Sequence, residues 1–552
     1  MRPRRPVLLV ALVVPALVAG LAAVQLGGPS ASQAAHSSLR APTISPNDHH
    51  DASPPIRDLP PAIGGSQRDE QDEGVLPHPA TVPGATDGVV QATLPALLIP
   101  ATATNFDGVG NGFSGPQGTF TVNSAPPDTN GDVGPSDYVQ IVNTDLAVFS
   151  KTGTVLFGPV PINTLWSGFG GLCQSDNNGD PTVKYDRIAD RWIISQFAVT
   201  GANGSSTPFL QCVAVSQTGD PTGAYFRYSF PYTFFPDYPK LGVWPDAYYE
   251  TFNAFNAAGT SFLGGIACAY DRTKMLAGLA ATQQCFNVGT TFGGLLPSDL
   301  DGSRQPPAGS PNYVVALGAT NTQLATWKFH VDWTTPASST LAGPTALATS
   351  AYTLPCGGTG GTCVPQSGTT QKLDTLGDRL MYRLAYRNFG DHEALVVDHS
   401  VTAGTSIGVR WYELRASAGS LSLFQQGTYA PDASYRWMGS IAQDQAGNMG
   451  LGFSTSSSTL HPAIAYTGRL AGDAAGVMTQ GEATIVAGAG SQTGGLTRWG
   501  DYSAMAVDPS DGCTFWFTSE YIPANGSFNW KTRIASFKFP GCGGTLANDF
   551  SI

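Results

Sequence analysis

Arg436-Trp437-Met438-Gly439-Ser440-Ile441-Ala442-Gln443-Asp444 runs on through Gly447 into an apolar stretch ending at Phe453. The same order of landmarks returns 62 residues later. Arg498-Trp499 leads to Ala506-Val507-Asp508, then Gly512, then Phe515-Trp516-Phe517. The second copy carries two extra residues before its Ala-x-Asp and one extra inside the turn. Each copy reads as strand, Asp-to-Gly hairpin turn, strand, because Asp and Gly favour the backbone conformations that reverse a chain. A weaker relative is Val183-Lys184-Tyr185-Asp186, which turns through Ala189-Asp190 into Arg191-Trp192.

Working outward, comparable strand-pair openings fall near residues 138, 183, 239, 311, 379, 436 and 498, at steps of 45, 56, 72, 68, 57 and 62 residues. That spacing is too long for lone hairpins and suits four-stranded units with loops. Between the openings lie short β-branched and aromatic runs such as Tyr138 to Val142, Trp192 to Phe197 and Ile534 to Phe539, separated by Gly, Pro, Asp and Asn. No amphipathic helix interrupts them. The reading is an all-β chain, a β-propeller of seven four-stranded blades with six as the alternative, because radial stacking leaves only short protected edges. Closure is expected to pair a strand from the start of the domain with Ile534 to Phe539.

The propeller is assigned to residues 105–552. Residues 1–34 read as an export signal, with Arg2, Arg4 and Arg5 before the apolar run Val7 to Leu26 and a small-residue site at Ser32-Gln33-Ala34. Residues 35–104 are rich in Pro, Ala and Ser with a charged patch over 68–73 and read as a disordered tether or pro-segment. His36, His49, His50 and His78 fall there, which leaves His330, His392, His399 and His461 for the folded part.

Composition narrows the function classes. Gly 66 and Pro 41 make 107 of 552 residues, against an ordinary share of about 12 %. Lys+Arg 28 against Asp+Glu 40 gives a net charge of −12, which repels phosphate backbones and anionic lipid heads. Nucleic acid is therefore not an expected partner, and no later segment is apolar enough to span a membrane. Eight cysteines suit a secreted, extracellular protein. Eight allow 105 pairings. The nearest-neighbour scheme is the simplest, since Cys268–Cys285 and Cys356–Cys363 would each staple one loop. No C-x2-C pair supports zinc.

Asp180-Pro181-Thr182-Val183-Lys184-Tyr185-Asp186 resembles the blade opening of sialidase-like and related bacterial secreted propellers. Asp128 to Gly134, Tyr435 to Met438 and Arg498 to Tyr502 resemble a family of uncharacterised exported bacterial proteins. The resemblance covers most of residues 106–542 and implies a bacterial extracellular propeller without implying an activity. The Ser-x-Asp-x-Gly-x-Thr-Trp turn of sialidases is absent.

Three constellations could carry chemistry. Asp128-Thr129-Asn130-Gly131-Asp132 and Asp176-Asn177-Asn178-Gly179-Asp180 share the pattern Asp-x-Asn-Gly-Asp. Oxygen ligands at positions 1, 3 and 5 (Asp128, Asn130, Asp132; Asp176, Asn178, Asp180) can wrap Ca2+, although neither loop continues as an EF-hand. The same residues can also form Asx turns. In the second constellation, period-2 alternation puts Arg379, Arg383 and Arg387 on one strand face, with His392 and Glu393 at the following turn. Arg436, Trp437, Arg498, Trp499 and Asp501 can join them at a central funnel. Guanidinium forks and aromatic rings there would suit an extracellular glycan or cell-surface polymer. The competing reading ties each arginine to an acid, with Asp374, Asp378, Asp432 and Asp501 as partners.

Catalytic residues are not assigned by the sequence. Glycoside hydrolysis would need two of Asp246, Asp391, Glu393, Asp501 and Glu520 at a set separation. A polysaccharide lyase could cast His392, Tyr382 and Arg383 as base and uronate clamp, by fold analogy alone. No serine-esterase, zincin or P-loop motif occurs. The first expectation is therefore a secreted monomeric propeller that recognises a glycan or surface polymer. A hydrolase or lyase acting on acidic sugars is the second, and a protein-binding adhesion or scaffold module the third.

Overall fold

Each Asp-to-Gly turn of the repeat joins two antiparallel strands. Tyr435–Gln443 pairs with Met449–Ser457. Their turn is held by Asp444, whose Oδ1 accepts from the N–H groups of Ala446 at 2.8 Å and Asn448 at 2.9 Å, while Gly447 takes φ 81°. In the second copy Ala504–Val507 pairs with Phe515–Tyr521. There Asp508 Oδ1 accepts from Ser510 N–H at 2.9 Å and Gly512 takes φ 63°. The shared landmarks are therefore the residues that let the chain reverse.

The computed structural model describes residues 41–62, 68–69, 75–200 and 206–543. Residues 39–552 form one unit, and its architecture is all-β. Four-strand antiparallel meanders follow one another along the chain. The first runs from Asn130–Val133 to Val155–Pro161, and the second from Gly179–Asp186 to Tyr225–Tyr232. Next come Phe235–Val243 to Thr282–Asn287 and Leu296–Asp301 to Thr340–Ala348. Met381–Asn388 to Ser420–Tyr429 and Tyr435–Gln443 to Glu482–Val486 follow. The last sheet has only three consecutive strands, ending with Lys531–Phe537, and takes its fourth from Thr104–Asp107. This is the closure expected from the sequence.

The first strands of successive sheets touch in order, and the first strand of the last sheet touches Asn130–Val133 again. The sheets therefore surround an axis, a propeller arrangement. At one step the first strands also hydrogen-bond directly, with Ser298 to Asp301 running parallel to Leu384 to Arg387. Apolar clusters fill the wedges between sheets. Val139, Leu146, Trp166, Trp192 and Cys212 pack in one, and Trp411, Ile441, Phe453, Phe515 and Phe537 in another. Burial on both faces explains why these strands read as nearly continuous apolar runs rather than clean alternation.

The four disulfides are Cys173–Cys212, Cys268–Cys285, Cys356–Cys363 and Cys513–Cys542. This is the nearest-neighbour scheme, and it is compatible with an extracellular protein. No helix among the described residues is long and apolar enough to cross a membrane.

The N-terminal expectation needs correction. The export signal lies outside the described residues, but much of 35–104 is laid against sheet edges. Thr43–Pro46 adds to the outer strand of the third sheet and His49–Ala52 to that of the second. Val90–Gln91 runs parallel to the outer strand Ser420–Tyr429. Low apolar content suggested a tether, yet the segment is held by main-chain hydrogen bonds to open edges and by a few side chains, such as Ile56 in the core and Asp51 on Arg227.

Candidate functional site

All three arginines of the 379–387 stretch are buried, but Arg383 and Arg387 lie among the strands while Arg379 borders a cavity. Arg383 is 1 % exposed. Its Nη1 meets Asp299 at 3.0 Å, its Nη2 meets Asp301 at 2.5 Å, and its Nε donates to Met505 O at 3.0 Å. Asp299 also holds Lys184 at 2.9 Å, which reaches Asp132 at 2.6 Å. Arg187 meets the other oxygen of Asp301 at 3.1 Å. The result is an alternating chain, Asp132–Lys184–Asp299–Arg383–Asp301–Arg187, contributed by the first strands around the axis and the turn after one of them. Burial alone would raise Asp301, but Arg383, Arg187 and Arg387 hold its carboxyl below the usual range. Such a chain consumes the charges it contains, and Arg383 has no face left for a ligand.

The other predicted arginines and tryptophans follow the same logic. Arg436 is buried, with Asp432 at 2.9 Å and Glu482 at 2.7 Å. Trp437 and Trp499 are fully buried with ring centroids 5.8 Å apart, and the Trp499 indole N–H donates to Ser454 Oγ at 3.0 Å. The Arg436-Trp437 pair and Trp499 are therefore architectural. Arg387 is buried and gives its Nε to Gln443 O at 2.9 Å. Arg383, Arg387, Arg436 and Trp437 lie in first strands enclosed by neighbours, and Trp499 is buried just ahead of one, so these side chains are packed rather than lining an open funnel.

His392 and Glu393 sit at the opposite end of the Met381–Asn388 strand from Arg379. His392 bonds Asp391 at 2.8 Å and stacks on Phe389 at 4.8 Å, while Glu393 accepts from Tyr386 OH at 2.6 Å. They do not join the arginines. The hydrolase and lyase candidates are likewise scattered. Tyr382 OH donates to Leu241 O at 3.0 Å inside the core. Asp246, pushed up to about 6 by burial, accepts from Tyr249 OH at 3.1 Å in another sheet.

The Asp-x-Asn-Gly-Asp pair is not a structural duplicate. Asp128 and Asp180 are the equivalent residues, each in a left-handed conformation (φ 48° and 46°) at the entry to a first strand. Asp tolerates this conformation better than most residues. The matching residue is thus first in one pentapeptide and last in the other. The oxygens serve different donors. Asn130 Oδ1 accepts from Val183 N–H at 3.1 Å, Asp132 Oδ2 from Tyr185 N–H at 3.0 Å, and Asp180 Oδ2 from Tyr238 N–H at 3.2 Å. Asn178 Oδ1 accepts from Val199 N–H at 3.0 Å, and Asp176 accepts from Ser175 Oγ at 2.6 Å. Among the described residues no three His, Cys, Asp or Glu side chains gather into a metal-sized group.

Among the cavities of the described residues, one of about 310 Å³ is bounded by Val75, His78, Thr359 to Thr362, Asp374, Leu376, Asp378, Arg379 and Arg498. The loop over 355–380 forms much of its wall and is stapled by Cys356–Cys363. Thr375 Oγ1 donates to Gly360 O at 2.6 Å within the loop. Gln366 fastens it to the 487–503 connection by bonding both the carbonyl and the N–H of Gln492, at 3.0 and 2.7 Å. Arg379 and Arg498 both precede the first strands of their sheets, so they reach the axial mouth rather than the axis itself. Arg379 bonds Asp378 at 2.8 Å and lies 4.5 Å over the Tyr238 ring. Arg498 pairs with Asp501. Beneath them Lys240 Nζ sits between the rings of Tyr238 and Tyr502, at 3.0 and 3.2 Å.

The acids at this mouth are of two kinds. Asp374 is pushed up to about 6, chiefly by burial, with Asp501 and Asp378 adding and the Leu376 N–H and Arg498 opposing. Glu520 lies behind, raised well above its ordinary value by burial with Asp501 adding. Asp378 and Asp501 are held by guanidiniums. The cavity thus combines a proton-holding carboxyl, carboxylates and two arginines, a lining that can donate to and accept from a polyhydroxylated ligand. Sequence reasoning named Arg379, Arg498 and Asp501 as members of a central funnel but treated Asp374 and Asp378 only as partners. It missed Lys184, Asp299 and Asp301 altogether. A usable signal for the last two was present in Asp299-Leu300-Asp301, two acids at alternate positions and so on one strand face.

No protein-family model matches the chain and no curated protein does, so the resemblance to exported bacterial propellers gains no family-level support. Solved structures do show likeness. An exo-β-1,3-galactanase from Phanerochaete chrysosporium aligns with TM-score 0.26 at 11 % identity, over 64 % of this chain and 80 % of that one. A xylan β-1,4-xylosidase from Bacillus halodurans gives 0.30 at 8 % identity, over 82 % and 98 %. A protein of unknown function from Dyadobacter fermentans gives 0.36 at 8 % identity, over 79 % and 99 %. At these scores the likenesses carry no argument, and the fold rests on the chain's own strand pairing.

Proposed function

We propose that this chain is a secreted propeller of seven blades that recognises an extracellular glycan or cell-surface polymer at the cavity between the 355–380 loop and Arg498. The count of seven follows from taking each meander as a blade and Thr104–Asp107 as the closing strand of the last. One observation carries the binding reading: a cavity of about 310 Å³ whose wall holds Asp374, Asp378, Arg379 and Arg498. Carboxylate oxygens accept from paired sugar hydroxyls, and guanidinium N–H groups donate to ring and carboxylate oxygens. The volume is of the size that holds one or two sugar units.

The test is to pass the mature protein over immobilised neutral and uronic-acid polysaccharides and to score retention together with new reducing or unsaturated ends. Retention without new ends, weakened about tenfold by Asp378→Asn, is the expected result. Absence of retention on every polymer defeats the binding reading.

A second reading, glycoside hydrolysis, is favoured by the contrast between Asp374, which burial lets keep a proton up to about pH 6, and Asp378 nearby, which Arg379 pairs at 2.8 Å. Its signature is new reducing ends that vanish in Asp374→Asn.

A further inference from the structure

At the end of the axial chain away from the cavity, two guanidiniums converge on one carboxylate. Arg187 follows the first strand of the second sheet and meets Asp301 at 3.1 Å. Arg387, near the end of the Met381–Asn388 strand, belongs to the fifth sheet, whose pairing sets it beside Asp301. Both side chains are more than nine-tenths withdrawn from solvent, at 7 % and 5 % exposure. Arg187 spends only Nη2 on Asp301, and its buried Nε and Nη1 have no hydrogen-bond partner among the described residues. Arg387 spends Nε on Gln443 O, and its buried Nη2 has none.

Asp301 accepts from Arg187 Nη2 on one oxygen and from Arg383 on the other, at 2.5 Å, and bonds none of these three donors. Asp444 also acts on Arg387, but its oxygens are engaged by Ala446 N–H and by the main-chain and side-chain nitrogens of Asn448. Burial, together with the push of Arg187 and Arg383 and against the pull of Asp301, lowers Arg387 to about 10. Buried guanidinium N–H groups left without acceptors are rare in native proteins and costly.

We infer that Arg187 and Arg387 hold a small monovalent anion of the chloride class at this end of the axis, where it accepts from Arg187 Nε and Nη1 and from Arg387 Nη2. A single-atom acceptor suits donors that are closed to solvent better than a bulky oxyanion. The site lies apart from the ligand cavity and is independent of what that cavity binds.

Crystals grown in sodium bromide, and thermal unfolding in sodium chloride against sodium gluconate at matched ionic strength, test the assignment. A bromide anomalous peak between Arg187 and Arg387 is expected. The unfolding midpoint is expected to rise by about 3 °C when chloride exceeds its Kd a hundredfold, and Arg387→Met is expected to lose that rise. Should Arg387→Met fail to fold, Arg187→Met serves in its place. No bromide peak, or an equal response to gluconate, overturns the proposal and gives the three donors to water.

Discussion

Arg383 and Arg498 are the same residue type, both flanked by acids and both near the axis, yet they occupy different chemical worlds. Arg383 lies within a first strand, enclosed by neighbouring first strands, and its two carboxylates arrive from a sheet more than eighty residues earlier in the sequence. Arg498 lies in the connection ahead of a first strand, and its carboxylate, Asp501, is three residues away. One position fixes adjacent sheets to each other, and the other borders a cavity. A few residues of displacement along the chain separate a structural ion pair from a group that can meet a ligand.

The contrast is broken most directly by the same substitution at both places. Arg383→Met leaves Asp299 and Asp301 buried without their guanidinium, so a loss of about 3–5 kcal/mol is expected in urea unfolding. Arg498→Met, beside a cavity that water can enter, is expected to lose no more than about half as much. Equal losses would erase the distinction. A smaller effect, about 2 kcal/mol, is expected when Cys356 and Cys363 are both changed to Ser, because a short loop is released. That variant should lose polysaccharide retention ahead of global unfolding if the 355–380 loop shapes the cavity wall.

Asp374→Asn sharpens the comparison through pH. Burial places the folded-state carboxyl above its unfolded value, so ionisation disfavours the fold. The native protein therefore loses stability as pH rises from the unfolded value, about 4, through about 6. Asn removes that loss. The variant's midpoint should exceed the parent's by about 1–2 °C at pH 8 and match it at pH 4. The smallest effect is expected for Arg57→Ala, whose pairing with Asp220 at 2.6 Å is half-exposed. It should change stability by less than about 1 kcal/mol, and a larger change would mean that the N-terminal segment is more than an edge covering.

Much of this architecture was legible in the sequence because it rests on local chemistry. Asp444 and Gly447, or Asp508 and Gly512, announce a reversal from within a few residues, and their spacing gives the repeat. Closure by an early strand followed from the same count. The candidate site was legible only in part, because function here depends on which partners arrive from afar. Alternation gave a common face for Arg383 and Arg387 as an expectation, but nothing nearby in the chain says that these residues meet Asp299, Asp301 and Gln443. The Asp-x-Asn-Gly-Asp match was misleading because composition repeated while backbone register did not, as the left-handed residues Asp128 and Asp180 reveal. The N-terminal segment escaped notice because edge pairing uses the main chain and leaves little trace in side-chain pattern.

The pairing of Thr104–Asp107 with Lys531–Phe537 also sets a condition on biosynthesis. The early strand leaves the ribosome more than four hundred residues before its partner exists, so the ring stays unsealed until Lys531–Phe537 has been made. A premature stop that removes Lys531–Phe537 would deprive the growing chain of this latch between early and late strands. Truncated products of this gene should accordingly be cleared by proteases rather than persist as smaller working versions.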